Sequence, residues 1–243
     1  MRDSGDILLV DAGWSREACI DSKRVFGRVH AIAMGVALRT GDSIADQLVA
    51  LHLEPSRVKT IVATHLHFDH VGGCVDFPNA EVVCSDREHA SYRRFPLPVG
   101  YRRKDLESAR VRPIAMVGPP SYGFRKSYDF YGDGEVVLLD AAGHTRGHTA
   151  VALRSRAGCF VHIGDAAYQS WEYGLSPKGP SPLAWTLSWR RSRLQETYAA
   201  IRSCEVDPRK PVIVPSHDYG VFEKLPQGPT IAKTNGVMKT KQF

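Results

Sequence analysis

Short apolar runs alternate with polar, glycine-bearing segments along this chain, and most of the runs have the length of strands. Ile7-Leu8-Leu9-Val10 predicts a strand halted by Asp11-Ala12-Gly13. Between residues 43 and 53, Ile44, Leu48 and Leu51 recur at helical spacing behind Ser43, a good N-cap, and Pro55 stops the helix. Further strands are predicted over 58–63, 80–84, 135–139 and 211–214. A hairpin of 150–154 and 159–163 should turn at Ala157-Gly158. Helices are predicted over 85–94 and 187–203, the second with Leu194, Tyr198 and Ile201 on one side. Residues 95–131 and 171–184 are rich in Pro and Gly and read as long irregular loops. Strands in runs with helices between them predict a layered α+β or α/β sandwich.

Composition narrows the class. The hydrophobic share of 43% is ordinary for a globular core, and 243 residues suit one large domain or two small ones. No run approaches the roughly 20 apolar residues of a membrane span. The first residues pass directly into a strand, unlike a secretory leader. The five cysteines are scattered and form no CxxC pair, so buried thiols in a reducing, cytoplasmic setting are expected. The net charge is +6, but the pairs Arg93-Arg94, Arg102-Arg103 and Arg190-Arg191 are separate and carry no nucleic-acid motif. A basic surface with a mild attraction for anionic substrates is the expectation, without a nucleic-acid partner.

The chemistry concentrates in His65-Leu66-His67-Phe68-Asp69-His70, which follows a predicted strand and precedes Gly72-Gly73. Imidazoles and a carboxylate at this density are a transition-metal ligand set. Three more strand ends carry similar groups: His144 and His148 in Gly143-His144-Thr145-Arg146-Gly147-His148, Asp165 after Ile163-Gly164, and His217 after Pro215-Ser216. Together they suffice for two divalent metals sharing one carboxylate.

These segments, THLHFDHVGG, GHTRGHT, GDAAY and PSHD, resemble the metallo-β-lactamase superfamily over residues 5 to about 220. The expected organisation is a hydrolase domain over 1–220 and a basic tail over 221–243. The resemblance implies a four-layer αβ/βα sandwich with two divalent ions at one edge of paired sheets. It implies His65, His67 and His148 on the first metal, Asp69, His70 and His217 on the second, and Asp165 bridging them. His144 is expected to support rather than ligate, and Asp11 of the early DxG motif to orient a ligand. Zinc is the expected metal for a mixed His/Asp set.

Asp165 sets this chain apart from lactam-hydrolysing members, and Asp165-Ala166-Ala167-Tyr168 resembles the DxxY element of the N-acyl homoserine lactonases. The expected activity is opening of an acyl homoserine lactone ring, which would quench quorum signals, or of a related ester. Tyr168 would stabilise the oxyanion and Asp69 hand a proton to the leaving alkoxide. Glyoxalase-type thioester hydrolysis, phosphodiester hydrolysis and a non-catalytic metal-binding module stay open as alternatives. Tyr122, Phe124, Tyr128, Phe130 and Trp171 are expected either to line the acyl pocket or to pack within their loops. The strand ending in DxG already begins at Ile7, where the superfamily usually has one or two strands before it. The expected sandwich therefore lacks its first strand or strands, and the bare edge invites a second copy, a homodimer.

Overall fold

The computed structural model describes residues 5–28, 31, 37–94, 100–173 and 179–225. Strands β1 (Ile7–Val10), β2 (Val58–Val62), β3 (Glu81–Ser85) and β4 (Arg110–Ile114) form one sheet, parallel and in that order. Strands β5 (Ser127–Asp129), β6 (Val136–Asp140), β7 (Thr149–Ser155), β8 (Gly158–Gly164) and β9 (Val212–Pro215) form the other. Its neighbours are antiparallel except β8 and β9, which are parallel. Helices α1 (Arg16–Ile20), α2 (Ser22–Phe26), α3 (Ile44–Ala50), α4 (Phe68–Val71) and α5 (Asp86–Arg94) belong to the first half. The second half carries α6 (Ser170–Tyr173), α7 (Pro182–Leu187), α8 (Arg191–Glu205) and α9 (Tyr219–Phe222).

The period-two alternation of the strands decides the layering. Ile61 and Val82 share a buried cluster with Ala45 and Leu48 of α3. Their neighbours Val62 and Val83 point the other way and meet Leu138 and Val151 of the second sheet. On that sheet's far face Val137, Leu139, Ala150 and Ala152 pack against Leu194, Tyr198 and Ile201 of α8. Three apolar interfaces thus separate helix, sheet, sheet and helix, which is the four-layer sandwich. Each fully buried aliphatic side chain contributes roughly 1.5–3 kcal/mol.

Two regions differ from their sequence reading. The loop expected over 95–131 contains β4 and β5. β4 reads Arg-Val-Arg-Pro-Ile and lies at the sheet edge, where a proline costs no ladder bond on the open side. The loop expected over 171–184 contains α6 and the start of α7, and residues 174–178 lie outside the described set. Ser181 caps α7 by accepting the Ala184 N–H, and Pro182 occupies its first turn, so the Pro-rich text marked a helix start. The helix expected over 187–203 begins four residues later, at Arg191. Of the expected tail, residues 221–225 are described and Val221-Phe222 close α9; the rest lies outside.

Candidate metal centre

The site is assembled where strands from both sheets end. Beyond β2 the chain runs through Thr64, His65 and His67 into the single turn of α4, which carries Asp69 and His70. Asp11, just after β1, ties this loop down. Its Oδ1 accepts the Thr64 N–H at 2.7 Å and its Oδ2 accepts the Thr64 hydroxyl at 2.9 Å. The same Oδ2 lies 2.8 Å from His70 Nδ1. Asp11 holds φ at 58°, a strained conformation for a side chain with a Cβ, which the surrounding bonds must impose. Burial alone would raise its carboxyl, but His70 and His162 opposite hold it well below the usual range.

Two groups of metal-ligating atoms result. In the first, atoms of His65, His67 and His144 lie within 4.8 Å of one another. His67 Nδ1 and His144 Nε2 are 3.2 Å apart, and His65 turns Nδ1 toward the Thr64 hydroxyl at 3.1 Å, leaving Nε2 for the centre. In the second, atoms of Asp69, His70, Asp165 and His217 meet the same limit. Asp165 Oδ1 lies 3.2 Å from His70 Nε2 and 3.2 Å from His217 Nε2. Its Oδ2 lies 3.7 Å from His144 Nε2, so this carboxylate spans both groups.

The donor set fits divalent metals. His65 Nε2 is buried without a hydrogen-bond partner among the described residues, and His70 Nε2 has only the 3.2 Å approach of Asp165 Oδ1. Orphaned buried polar atoms are costly unless something binds them. Burial holds His65 and His67 well below the ordinary imidazole range, and His144 at about 4, so all three are neutral, the form that ligates.

One expected pairing is corrected. The rings of His144 and His148 both lie about 5 Å from that of His65, but the ligating atoms that converge with those of His65 and His67 belong to His144, not His148. His148 is fully buried and its Nε2 accepts the Asp165 backbone N–H at 3.1 Å. That nitrogen is spent on holding the loop that carries Asp165. Gly164 must be glycine for the same reason: with φ at +54°, an added Cβ would sit 2.8 Å from His148 Nε2. His65 and His67 fall in the first group, and Asp69, His70, Asp165 and His217 in the second. Tyr168 stands beside them, its ring centroid 5.5 Å from His217 and 6.0 Å from His144.

Glu88 was missed by sequence reasoning. Its side chain is fully buried on α5 between the two histidine loops. Oε1 accepts the Leu66 N–H at 3.1 Å and the Tyr101 hydroxyl at 2.7 Å. Oε2 accepts the Thr145 hydroxyl at 2.6 Å and the Gly147 N–H at 3.1 Å. A signal existed. Ser85-Asp86-Arg87-Glu88 matches a capping box, and the Ser85 hydroxyl does accept the Glu88 N–H at 3.1 Å. The carboxylate then leaves the helix and clamps the loops instead.

A cleft of about 870 Å³ opens beside the metal groups. Phe68, Trp171, Leu183, Leu187 and Trp189 make its walls largely apolar. Of the aromatic residues proposed for such a pocket, Trp171 lines it. Tyr122 and Phe124 are instead buried in the core beneath α8, and Tyr128 and Phe130 pack against the inter-sheet core.

A model of the Metallo-beta-lactamase superfamily matches residues 1–217, and the chain belongs to that superfamily. It is a metallo-hydrolase of that group by its relatives. It is 32% identical over 230 residues to the Mycobacterium tuberculosis protein named "Probable metallo-hydrolase Rv2300c", covering 89% of this chain and 72% of that one. It is 29% identical over 232 residues to the N-acyl homoserine lactonase AttM of Rhizobium radiobacter, covering 92% and 82%. The fold is similar to that of a B. thuringiensis AiiA mutant, solved with N-decanoyl-L-homoserine bound at the active site. That match has a TM-score of 0.68 at 18% identity over 90% of this chain and 79% of that one. No described helix is long and apolar enough to cross a membrane.

Proposed function

We propose that this chain is a dinuclear metal hydrolase that opens the lactone ring of N-acyl homoserine lactones or of a closely related lactone or ester. The observation that carries the reading is the placement of Tyr168, between a carboxylate that spans two ligand groups and a mostly apolar cleft. Relatives named N-acyl homoserine lactonase support it.

His65, His67 and His144 would hold one ion, Asp69, His70 and His217 the other, with Asp165 between them. Two divalent ions there, zinc by the ligand set, would supply a water acidified toward neutrality and a Lewis acid for a carbonyl oxygen. The protein does the rest. Burial first, then the carboxylates Asp165, Asp69 and Glu172, push the Tyr168 phenol well above its usual range, so it stays protonated and able to donate. Its hydroxyl donates to the oxygen that gains charge as the lactone carbonyl becomes tetrahedral. Asp69, with its side chain 26% exposed at the cleft, takes the proton that the attacking water gives up and hands it to the ring alkoxide as the acyl C–O bond breaks. The acyl chain lies along the apolar wall. The hydrolase unit is taken as 1–220, with 221–243 as a basic appendage. All five cysteines are free, which suits a reducing cytoplasm.

The test is metal content and turnover of the purified protein on a panel of lactone, thioester, phosphodiester and lactam. Two tight ions per chain and preferred lactone opening are expected. Preferred thioester or phosphodiester cleavage, or metal binding with no turnover on any of the four, would overturn the lactonase reading.

A further inference from the structure

Glu172 is a buried carboxylate that the reaction above does not consume. It is 1% exposed, sits on α6 four residues after Tyr168, and borders the cleft. Burying a charge is expensive unless every lone pair is satisfied. Here neutral donors bond it: two from residues that line the cleft, Tyr168 and Ser181, and one from Tyr198 in the core beneath it. Oε2 accepts the Tyr168 backbone N–H at 2.9 Å and the Tyr198 hydroxyl of α8 at 3.0 Å. Oε1 accepts the Ser181 backbone N–H at 3.2 Å. Ser181 is the N-cap of α7, and α7 supplies Leu183, Thr186 and Leu187 to the cleft.

We propose that Glu172 is a positioning residue that sets the spacing between the Tyr168 phenol and the apolar wall on α7, and so couples turnover to acyl-chain selectivity. For the turnover half this rests on the lactonase reading above. The two oxygens divide the work. One holds the tyrosine segment against the α8 scaffold. The other pulls the start of α7 onto the same carboxylate. A substrate whose carbonyl is to meet Tyr168 while its chain lies on Leu183 and Leu187 must match the distance this carboxylate defines. A wall that drifted outward would weaken long chains most, because they make the most contacts with it.

The asymmetry makes two substitutions diagnostic. In Glu172→Gln the amide oxygen can remain on Tyr168 and Tyr198, while the NH2 group faces the Ser181 N–H and cannot accept from it. Only the α7 arm is cut. Glu172→Ala cuts both arms. The metal-loaded protein is assayed on hexanoyl and decanoyl homoserine lactone. For Glu172→Gln, KM for the decanoyl substrate should rise roughly fivefold to tenfold, with a smaller change for hexanoyl and kcat nearly held. For Glu172→Ala, kcat should fall as well, toward the value of Tyr168→Phe. Both should keep the wild-type metal content.

A second readout does not need turnover. Trp171 and Trp189 line the cleft, so tryptophan emission should report titration with hexanoate and decanoate. Glu172→Gln should narrow the preference for decanoate. If wild type opens no lactone but this narrowing appears, the lactonase reading fails and the spacing role stands. Equal losses for both chain lengths in Glu172→Gln, or loss of metal, would overturn the proposal. So would a lowered melting temperature with unchanged kinetics and fatty-acid selectivity. Should Glu172→Ala not fold, Tyr198→Phe removes one donor from the tyrosine arm and should lower kcat while leaving chain selectivity as in wild type; an altered selectivity there would count against the proposal.

Discussion

His144 Nε2 lies 3.2 Å from His67 Nδ1, while His148, four residues on, gives its Nε2 to the backbone N–H of Asp165. Two histidines of one short loop therefore do different things. Removing His144 should cost a metal ion and removing His148 should not. In His144→Ala, metal analysis after dialysis should find one tight ion rather than two. His148→Ala should retain two, but leave a buried N–H without an acceptor, at about 1–3 kcal/mol of stability. Two retained ions in His144→Ala would show that the cluster is not a ligand set.

Asp11 holds His70 by its Nδ1 and Thr64 by two further bonds, so in the proposed site it would orient a ligand without being one. Substitution of such an outer partner typically costs about 10- to 100-fold in metal affinity. Competition with a chelator should show that loss for Asp11→Ala. Unchanged affinity would mean that the loop is held by something else.

The Glu88 clamp predicts a stability effect with a structural signature. Glu88→Ala strands the buried Leu66 and Gly147 N–H groups, at about 1–3 kcal/mol each. Urea unfolding should register a loss of about 2–6 kcal/mol, together with weaker metal retention. A variant within about 1 kcal/mol of wild type would show that water replaces the carboxylate without penalty.

Asp105 gives a pH dependence whose sign is fixed by its burial. It is 2% exposed, its Oδ2 has no partner among the described residues, and burial lifts it from 3.8 to about 6 despite Arg102 at 2.8 Å. Between pH about 4 and 6 the folded chain keeps a proton that the unfolded chain has lost, so stability falls as pH rises through that window. A shift of this size is worth up to about 3 kcal/mol. Asp105→Asn cannot titrate. In metal-free protein, the stability of wild type relative to this variant should drop by about 1–3 kcal/mol between pH 4 and 7, measured by urea titration. Parallel curves would exclude the effect.

Much of this protein is legible from local text because local physics writes it. β1, β2, β3 and the β7–β8 hairpin follow from apolar runs bounded by turns, and Ser43 caps α3 as its position foretold. The candidate ligands are legible as well, since metals demand particular side chains and these cluster within a few residues. What the chain alone left undecided depends on direction and distance. β4 carries no alternation because its arginines and proline sit at a sheet edge. His144 and His148 have the same chemistry and similar flanking residues, and only the orientation of each ring separates ligand geometry from loop support. Glu88 reaches groups 22 and 57 residues away, and Glu172 one 26 residues away. A carboxylate's partners over such separations are set by how sheets and helices stack, and no period or motif in the sequence encodes that stacking directly. The residues and their affinity for metal belong to the sequence. Which nitrogen faces the centre, and which carboxylate holds the wall, belongs to the packed structure, because hydrogen bonds and ligation act only over about 3 Å.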